Sequence, residues 1–292
     1  MVHSKETLKI GFLIGRYPGI SQTYILREIL SLRVYRHFET YTASINDPDR
    51  PSERLTEEEW HESKKTFYIK SKGFLGALSA FGYFLARSPW KLMKAFGFSL
   101  RLGKTDVARI LFNLFYFGEA LILARWMRTK KIQHLHVHFA NPASTVALIG
   151  AKLAGKTFSM TMHGQDEFCD VTLNLLKEKI TGADFICCIG YYQMSQLMQL
   201  TSPKDWEKFS LCRLGVNPEL YAPAQQPPKD TLRILCVGRL VAAKGQPLLL
   251  KTFAKLIEEH MPKGFKQPRL IQAVHPQEAV LYGCNIYAQQ LT

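Results

Sequence analysis

The sequence predicts an α/β protein built on a parallel, doubly wound sheet. Short apolar runs alternate with segments of helical periodicity over residues 8–63 and again over residues 132–213. The first apolar run, Leu8–Gly15, is nearly continuous, which is typical of a strand buried on both faces. The composition suits a sizeable core, since 47% of the 292 residues are hydrophobic and 21% are charged. It excludes disordered, collagen-like and disulfide-scaffold classes.

The N-terminal elements follow from local signals. The strand Leu8–Gly15 is ended by Arg16 and Pro18, and Ser21 then occupies a helix N-cap position before apolar residues at helical spacing. His37–Ser44 predicts the next strand, and Glu53–Glu62 an acidic helix or loop.

Residues 64–131 carry 14 basic and 2 acidic groups, so they account for most of the net charge of +14. We expect two or three amphipathic helices within residues 73–131, broken near Ser88–Pro89 and Gly103. A localised basic excess indicates an anionic partner. The longest apolar stretches, Phe74–Ala86 and Leu111–Ala124, are shorter than the ~18 residues that a spanning helix needs. We therefore expect contact with a membrane surface without crossing.

The strand and helix alternation returns at residue 132 and implies a parallel sheet. The predicted strands are Gln133–Phe139, Lys156–Met162, Asp184–Ile189 and Lys208–Arg213, and the predicted helices are Ala143–Ala154, Val171–Thr181 and Tyr191–Leu200.

A linker follows at Ala222–Asp230, which is polar and contains three prolines. The strand and helix pattern restarts with Leu232–Val237 and a helix over Pro247–Glu259. Residues 261–292 show no second βα unit, so a second domain of this type is incomplete in the sequence.

The six cysteines are scattered without a CxxC pair, which favours a reducing compartment. The apolar run Ile10–Ile14 is too short for a signal-peptide core. These features predict a cytoplasmic protein.

Four loops carry candidate chemistry. The first, Arg16–Ile29 (RYPGISQTYILREI), lies between the first strand and helix, where ligands bind in such sheets. Gly19 would let a ligand approach the backbone, although an ordinary capped turn explains the same residues, and Arg27 and Glu28 are then a surface pair.

The second segment, HLHVHF, places His134, His136 and His138 on one face of a strand. Such spacing permits a metal site, and a metal-dependent hydrolase is one alternative. No partner motif supplies further ligands, however, so we favour a strand end at which His138 lines a cleft.

The third segment, Thr161–Phe168 (TMHGQDEF), places His163 at the end of a strand, with Asp166 predicted to cap the next helix. The fourth, Val237–Gly245 (VGRLVAAKG), brings Arg239 and Lys244 to a helix N-terminus, an arrangement that suits a diphosphate. It lacks both GxGxxG and the P-loop motif. Each segment alone also fits a structural turn.

In this order, the four segments resemble those of retaining glycosyltransferases of family 4, particularly those of colanic-acid-type exopolysaccharide biosynthesis. A fifth match is Arg213–Pro223 (RLGVNPELYAP), where the family pattern has Asp in place of Asn217. The resemblance implies the GT-B architecture of two Rossmann-like domains. The predicted parts are an acceptor-side domain at 1–221, a linker at 222–231, the first donor-domain unit at 232–260 and an unassigned tail at 261–292.

The resemblance implies transfer of a sugar, with retention of configuration, from a UDP or GDP sugar. Arg239 and Lys244 would neutralise the leaving diphosphate, and His163 would be the catalytic residue beside the transferred sugar. Gly19 and Ser21 would face the donor diphosphate or the acceptor. The family needs no metal cofactor, because fixed cations and a helix dipole supply the charge.

On the acceptor side, the resemblance implies that His138 and Asp166 face a saccharide or lipid-linked oligosaccharide. Such acceptors lie at membranes, and a basic, aromatic-rich segment fits docking to anionic lipid. The predicted membrane patch comprises Lys91, Lys94, Arg101 and Lys104. Nucleic acid fits less well, because the sequence contains no recognisable binding module.

One departure from the family concerns the donor domain, which carries two glutamates eight residues apart. This sequence has no such pair, so we expect a truncated or frame-shifted enzyme with impaired transfer. The alternative is a non-catalytic remnant that binds a membrane or polyanion through residues 64–131.

Overall fold

The computed structural model describes residues 7–35, 37–216, 218–220, 236, 238, 241–260, 269–272 and 286–289. The chain divides into two compact units, Met1–Val216 and Asn217–Thr292. The first unit contains a seven-stranded sheet in the order β3-β2-β1-β4-β5-β6-β7, and every neighbouring pair in it is parallel. The predicted α/β class is therefore confirmed.

The strands of this sheet are β1 (Leu8–Arg16), β2 (Phe38–Asn46), β3 (Phe67–Tyr68), β4 (His134–His138), β5 (Thr157–Met162), β6 (Phe185–Cys188) and β7 (Phe209–Leu211). The helices of the first unit are α1 (Thr23–Val34), α2 (Glu57–Lys65), α3 (Gly73–Arg87), α4 (Pro89–Leu102), α5 (Val107–Thr129), α6 (Pro142–Ala154), α7 (Leu176–Gly182) and α8 (Tyr191–Leu200).

The sheet is covered on both faces, as the continuous apolar strands predict. On one face of β1, Phe12 and Ile14 pack with Ile25 and Ile29 of α1. On the other face, Leu13 belongs to a larger core that includes residues of α5 and α6.

Local chemistry explains two of the helix boundaries. Helix α2 begins with a capping box, in which the Thr56 hydroxyl accepts from the Glu59 N–H and the Glu59 carboxylate accepts from the Thr56 N–H. Helix α6 begins at Pro142 after the Asn141 N-cap and ends at Gly155, whose φ of 70° is the left-handed conformation that glycine adopts readily.

Two predicted boundaries are wrong. Ser21 does not cap α1, because the chain turns at Gly19, where the Gln22 N–H donates to the Gly19 carbonyl, and Gln22 becomes the N-cap. Helix α7 begins at Leu176 rather than at Val171, because residues 169–175 form turns that end with Leu175 at a φ of 50°.

The basic segment forms three helices, α3, α4 and α5, with breaks at the predicted positions. Helix α5 has 23 residues and is long and apolar enough, by length and composition, to cross a membrane. The prediction that no segment reaches that length is wrong, because the helix continues beyond the uninterrupted apolar run. Its C-terminal half is core, since Leu123, Ala124 and Met127 are fully buried.

Within the second unit, the structure describes helix α9 (Gln246–His260) and an antiparallel pair of strands, β8 (Arg269–Gln272) and β9 (Ile286–Gln289). Helix α9 closely matches its predicted range. The predicted linker at 222–231 and nearly all of the predicted strand Leu232–Val237 lie outside the described residues.

Candidate functional site

Two histidines meet at the carboxyl edge of the sheet, where parallel α/β sheets bind ligands. His138 is the last residue of β4, and His163 directly follows β5. The two strands are neighbours, and their register pairs His138 with Thr161. The His138 Nδ1 and His163 Nε2 atoms lie 3.0 Å apart, within hydrogen-bond distance. The structure thus brings together two residues that the sequence placed at the ends of two predicted strands.

Behind this pair, the other two histidines of β4 face hydroxyl groups on β5, so the predicted shared face is present. The four distances are 2.7 Å from His134 Nδ1 to Thr157 Oγ1, 2.6 Å from His134 Nε2 to Ser159 Oγ, 2.7 Å from His136 Nδ1 to Ser159 Oγ and 2.9 Å from His136 Nε2 to Thr161 Oγ1. We call this arrangement the histidine row.

The direction of each hydrogen bond in the histidine row follows from one anchored end. The Thr157 hydroxyl donates to the Gln133 carbonyl, so Thr157 accepts from His134 Nδ1–H. His134 Nε2 is then an acceptor for Ser159, and Ser159 in turn accepts from His136 Nδ1–H. Both imidazoles are neutral in this scheme, in keeping with the direction of their pKa values. Burial lowers the pKa of His134, and it lowers that of His136 to about 3, with help from the nearby charges of other histidines.

The ligand atoms of Glu28, His136 and His138 lie within 4.8 Å of one another, a spacing that a metal ion could use. Both ring nitrogens of His136 already face hydroxyl groups. A metal bound to His136 would have to break one of these hydrogen bonds. The geometry therefore favours a hydrogen-bonded row over the hydrolase alternative.

His163 is enclosed by aromatic rings. Its ring centroid lies 5.0 Å from that of Tyr24 and 4.4 Å from that of Phe139. Tyr24 belongs to α1, so this contact brings the loop after β1 beside the histidine pair. Burial lowers the pKa of His163 to about 4, and the ring is therefore neutral at pH 7.

Glu28 is a site residue that sequence reasoning missed. The expected surface pair with Arg27 is wrong, because Arg27 is exposed whereas the Glu28 carboxylate approaches His138 Nε2 at 4.0 Å. Desolvation raises the pKa of Glu28 to about 7, although 38% of the side chain remains exposed. Its position three residues after the buried Ile25 and one before Ile29 places it on the inward face of α1, and this spacing was the available signal.

A buried acid fixes the backbone around His163. The Glu167 carboxylate accepts from the N–H groups of His163 at 2.6 Å, of Gly164 at 2.8 Å and of Ala140. Ala140 follows β4 and His163 follows β5, so one side chain joins the ends of both strands. Burial raises the pKa of Glu167, although these hydrogen bonds act in the opposite direction.

The prediction that Asp166 caps the following helix is wrong. Asp166 is exposed within a single 3-10 turn, and its neighbour Glu167 takes the capping role because that turn directs it inward. Asp166 lies three residues after His163 in the chain, and its acceptor-side role stays a prediction.

A buried amine completes this anchoring. Lys179 is fully buried on α7, and its Nζ donates to the carbonyls of Asn141 at 2.9 Å and Ala140 at 3.2 Å. Burial lowers the pKa of Lys179 to about 7, partly offset by Glu167. At the end of β4, Glu167 thus accepts from a backbone N–H group and Lys179 donates to backbone carbonyls. No sequence pattern indicated either role.

The loop after β1 borders a cavity of about 640 Å³ with a mixed lining. Arg16, Gln22 and Lys70 are among its polar residues, and Phe112 and Phe115 of α5 are among its apolar ones. Gly19 is a buried residue of this loop. A Cβ added at Gly19 would lie 3.3 Å from the Gln22 side chain, which is a tight contact. Ser21 is exposed. The predicted donor-facing roles of Gly19 and Ser21 remain predictions.

The two predicted donor-side cations belong to the second unit. Arg239 lies outside the described residues. Lys244 is exposed in the 3-10 turn that precedes α9, and Gly245 follows it with a φ of 66°, which favours glycine.

The four residues of the predicted membrane patch are all exposed, and their immediate surroundings differ. Lys94 and Arg101 share a stripe of α4 with Trp90, whose ring lies 5.2 Å from the Lys94 ammonium. Lys91 lies against Gly155 at the end of α6, and Lys104 pairs with Glu178 at 3.7 Å.

No family model and no curated protein matches the chain. Among solved structures, it is similar to a UDP-N-acetylglucosamine 2-epimerase, with a TM-score of 0.40 and 12% identity over 70% of this chain and 48% of that one. It is also similar to the UDP-GlcNAc 2-epimerase from Methanocaldococcus jannaschii, with a TM-score of 0.37 and 11% identity over 70% of this chain and 45% of that one. The chain thus spans about half the length of these structures. Scores this low assign no activity, so the fold class rests on the sheet itself.

Proposed function

We propose that this protein is a retaining glycosyltransferase of the family 4 type, acting in exopolysaccharide synthesis. Its reaction is transfer of a sugar from a UDP or GDP sugar to a saccharide or lipid-linked acceptor, at a rate that is impaired because this sequence has no pair of glutamates eight residues apart of the kind that the family uses to hold the donor. The observation that supports this proposal is the hydrogen-bonded pair of His138 and His163 at the carboxyl edge of the sheet, beside the loop after β1. The motif resemblance supplies the reaction class.

The protonation state of His163 defines its role in this proposal. A neutral imidazole contributes hydrogen bonds and no net charge, so His163 contacts a hydroxyl group of the transferred sugar. Neutralisation of the leaving diphosphate then falls to Arg239 and Lys244, since charge-assisted hydrogen bonds are the strong ones at phosphates.

Donor recognition is tested by isothermal titration of UDP and GDP into the purified chain. We expect one nucleotide to bind, and Lys244→Met to weaken its binding at least tenfold. Lys251→Met is the matched control, because Lys251 is an exposed lysine of α9, and it should leave binding unchanged. Absence of binding of both nucleotides at millimolar concentration would overturn the donor assignment.

The reaction is tested with UDP-glucose and GDP-mannose as probes, by mass spectrometry of the products and NMR of the new anomeric centre. His163→Ala should reduce turnover on the order of 100-fold, the scale of losing a positioned catalytic group. The control is His61→Ala, since His61 is exposed on α2. Equal turnover of both variants, or inversion of configuration, contradicts the proposal.

A second candidate function, binding to an anionic membrane, is favoured by the outer surface of α3, α4 and α5. Phe74, Phe115 and Trp90 are 79%, 73% and 70% exposed. Between α3 and α5 runs an apolar groove of about 700 Å³, and Lys70 lies at its rim. Large contiguous apolar patches mark interaction sites, and neighbouring basic residues favour a negatively charged lipid surface.

Membrane binding is tested by co-sedimentation with vesicles of pure phosphatidylcholine and of phosphatidylcholine with phosphatidylserine. We expect binding to the anionic vesicles alone. In the cell, this binding would hold the protein peripherally at the cytoplasmic surface of a membrane. Lys94→Glu with Arg101→Glu should weaken it on the order of 30-fold, at about 1 kcal/mol per basic residue. Lys177→Glu on α7 is the control, because Lys177 is exposed outside these three helices. Binding that survives the double reversal contradicts an electrostatic contribution from α4.

A further inference from the structure

The histidine pair leaves two buried ring nitrogens without a hydrogen-bond partner in the part of the chain that the structure describes. They are Nε2 of His138 and Nδ1 of His163, the two nitrogens that the hydrogen bond between the rings does not use. His138 is fully buried and His163 is 9% exposed. Buried polar atoms without partners are rare, so these two atoms point to a function.

The types of these two nitrogens are linked by proton counting. A neutral imidazole carries one N–H donor and one bare acceptor. If His163 Nε2 donates to His138 Nδ1, then His138 Nε2 carries a hydrogen and His163 Nδ1 is a bare acceptor. If the hydrogen bond runs the other way, both outer nitrogens exchange their types. The group that faces His138 Nε2 therefore determines whether His163 Nδ1 carries a hydrogen or is a bare acceptor.

The group that faces His138 Nε2 is Glu28, whose Oε1 lies 4.0 Å away. An ionised carboxylate only accepts hydrogen bonds, so it favours a hydrogen on His138 Nε2. A protonated carboxyl donates and favours the opposite arrangement. We propose that Glu28 is a positioning residue that sets, through His138, which tautomer of His163 is present at the carboxyl edge of the sheet.

The surroundings leave Glu28 as the group that titrates near neutrality in this cluster. Besides His138 and His163, the groups that face it are His136 on β4 and Cys187 on β6. The pKa of His136 is lowered to about 3 and that of Cys187 is raised to about 12, so neither changes charge between pH 5 and 9. Burial raises the pKa of Glu28 to about 7, so both of its forms are accessible there.

The same three groups can move one proton in a balanced way. A proton taken up at His163 Nδ1 is matched by transfer of the His163 Nε2 hydrogen to His138 Nδ1. The Nε2 hydrogen of His138 then passes to the Glu28 carboxylate, which must first move from 4.0 Å to hydrogen-bond distance. Glu28 becomes neutral, and both imidazoles stay neutral. No buried imidazolium is formed, which avoids the large cost of burying a charge.

The experiment is ¹⁵N NMR of histidine-labelled protein between pH 5 and 9, which reports which ring nitrogen carries the hydrogen. His138→Asn and His163→Asn variants assign the two rings. In the unmodified protein, we expect both rings to exchange tautomers together near pH 7. Glu28→Gln should abolish this exchange, whereas Glu28→Asp, which keeps a carboxylate, should retain it at a shifted pH.

The matched control is Glu58→Gln, because Glu58 is an exposed glutamate on α2. This variant should leave the tautomer exchange in place. Lys179 also has a pKa of about 7, but its amine donates to backbone carbonyls, so we expect its titration to leave the ring hydrogens of the two histidines unchanged. Exchange that persists in Glu28→Gln, or one tautomer throughout the pH range in the unmodified protein, would overturn the proposal. The measurement uses no sugar donor, so its outcome is independent of the transferase proposal.

Discussion

Replacing Glu167 by glutamine should destabilise the first unit. The carboxylate accepts from three backbone N–H groups, and a glutamine side chain has one oxygen acceptor and two N–H donors to put in the same place. At least one buried N–H group then loses its partner. The buried Lys179 also loses the nearby negative charge that raises its pKa.

The magnitude follows from those losses. A hydrogen bond to a charged group contributes about 1.5–3 kcal/mol, and a buried N–H group left without its partner costs about 1–3 kcal/mol. The two effects overlap at one site and do not add. We therefore expect the free energy of unfolding to fall by about 1.5–3 kcal/mol, a sizeable fraction of the total stability of a typical domain.

The assay is urea unfolding at pH 7 followed by tryptophan fluorescence and far-ultraviolet circular dichroism. The control is Asp166→Asn, an exposed neighbour that should change stability by less than about 0.5 kcal/mol. Adding Lys179→Met to Glu167→Gln should cost less than the sum of the two single changes, because each single change leaves a buried group without its partner. A loss below about 1 kcal/mol for Glu167→Gln, or strict additivity with Lys179→Met, would refute this account of the strand ends.

Further predictions concern pH, backbone and core. His163 has a folded pKa of about 4, below its unfolded value, so it takes up a proton on unfolding and lowers stability as the pH falls from 6.5 to 4. The unmodified protein should lose about 3 kcal/mol more than His163→Gln over that range in urea titrations, since each unit of pKa shift is worth about 1.36 kcal/mol. Gly82→Ala on the exposed side of α3 should stabilise by about 0.5–1 kcal/mol, since no atom lies within 4 Å of a Cβ there. Gly103→Ala should destabilise, because its Cβ would lie 2.8 Å from the Ile110 nitrogen, and a higher thermal midpoint for this variant would contradict the packing. Phe84→Ala should cost about 3–5 kcal/mol in the same urea assay, because Phe84 is fully buried, and a loss under about 1 kcal/mol would count against its place in the core.

The sequence predicted the sheet well because buried parallel strands carry a strong apolar signal. It also placed three histidines on one face of β4, since alternation along a strand is fixed by geometry. It placed His138 and His163 each at the end of a predicted strand, and the family resemblance gave them different roles, but the contact between the two rings was not predicted.

The site residues that it missed depend on tertiary detail. The spacing of Ile25 and Ile29 indicates that Glu28 rather than Arg27 turns inward, but only the packed structure shows that Glu28 approaches His138. The choice of Glu167 over Asp166 depends on a single 3-10 turn, which has no periodic signature. Lys179 is invisible to pattern reasoning because lysine is almost never fully buried without a partner.

The histidine row has a consequence for how β4 and β5 find each other during folding. Backbone hydrogen bonds in a parallel pair repeat every two residues, so they tolerate a slip of that length with little penalty. The row shares this two-residue period, so a slipped pairing would still set imidazoles opposite hydroxyl groups. What the slip would break is the contact between His138 and His163, whose ring nitrogens lie 3.0 Å apart when His138 is paired with Thr161. An error of alignment between these two central strands would therefore cost the site above the sheet rather than the sheet itself.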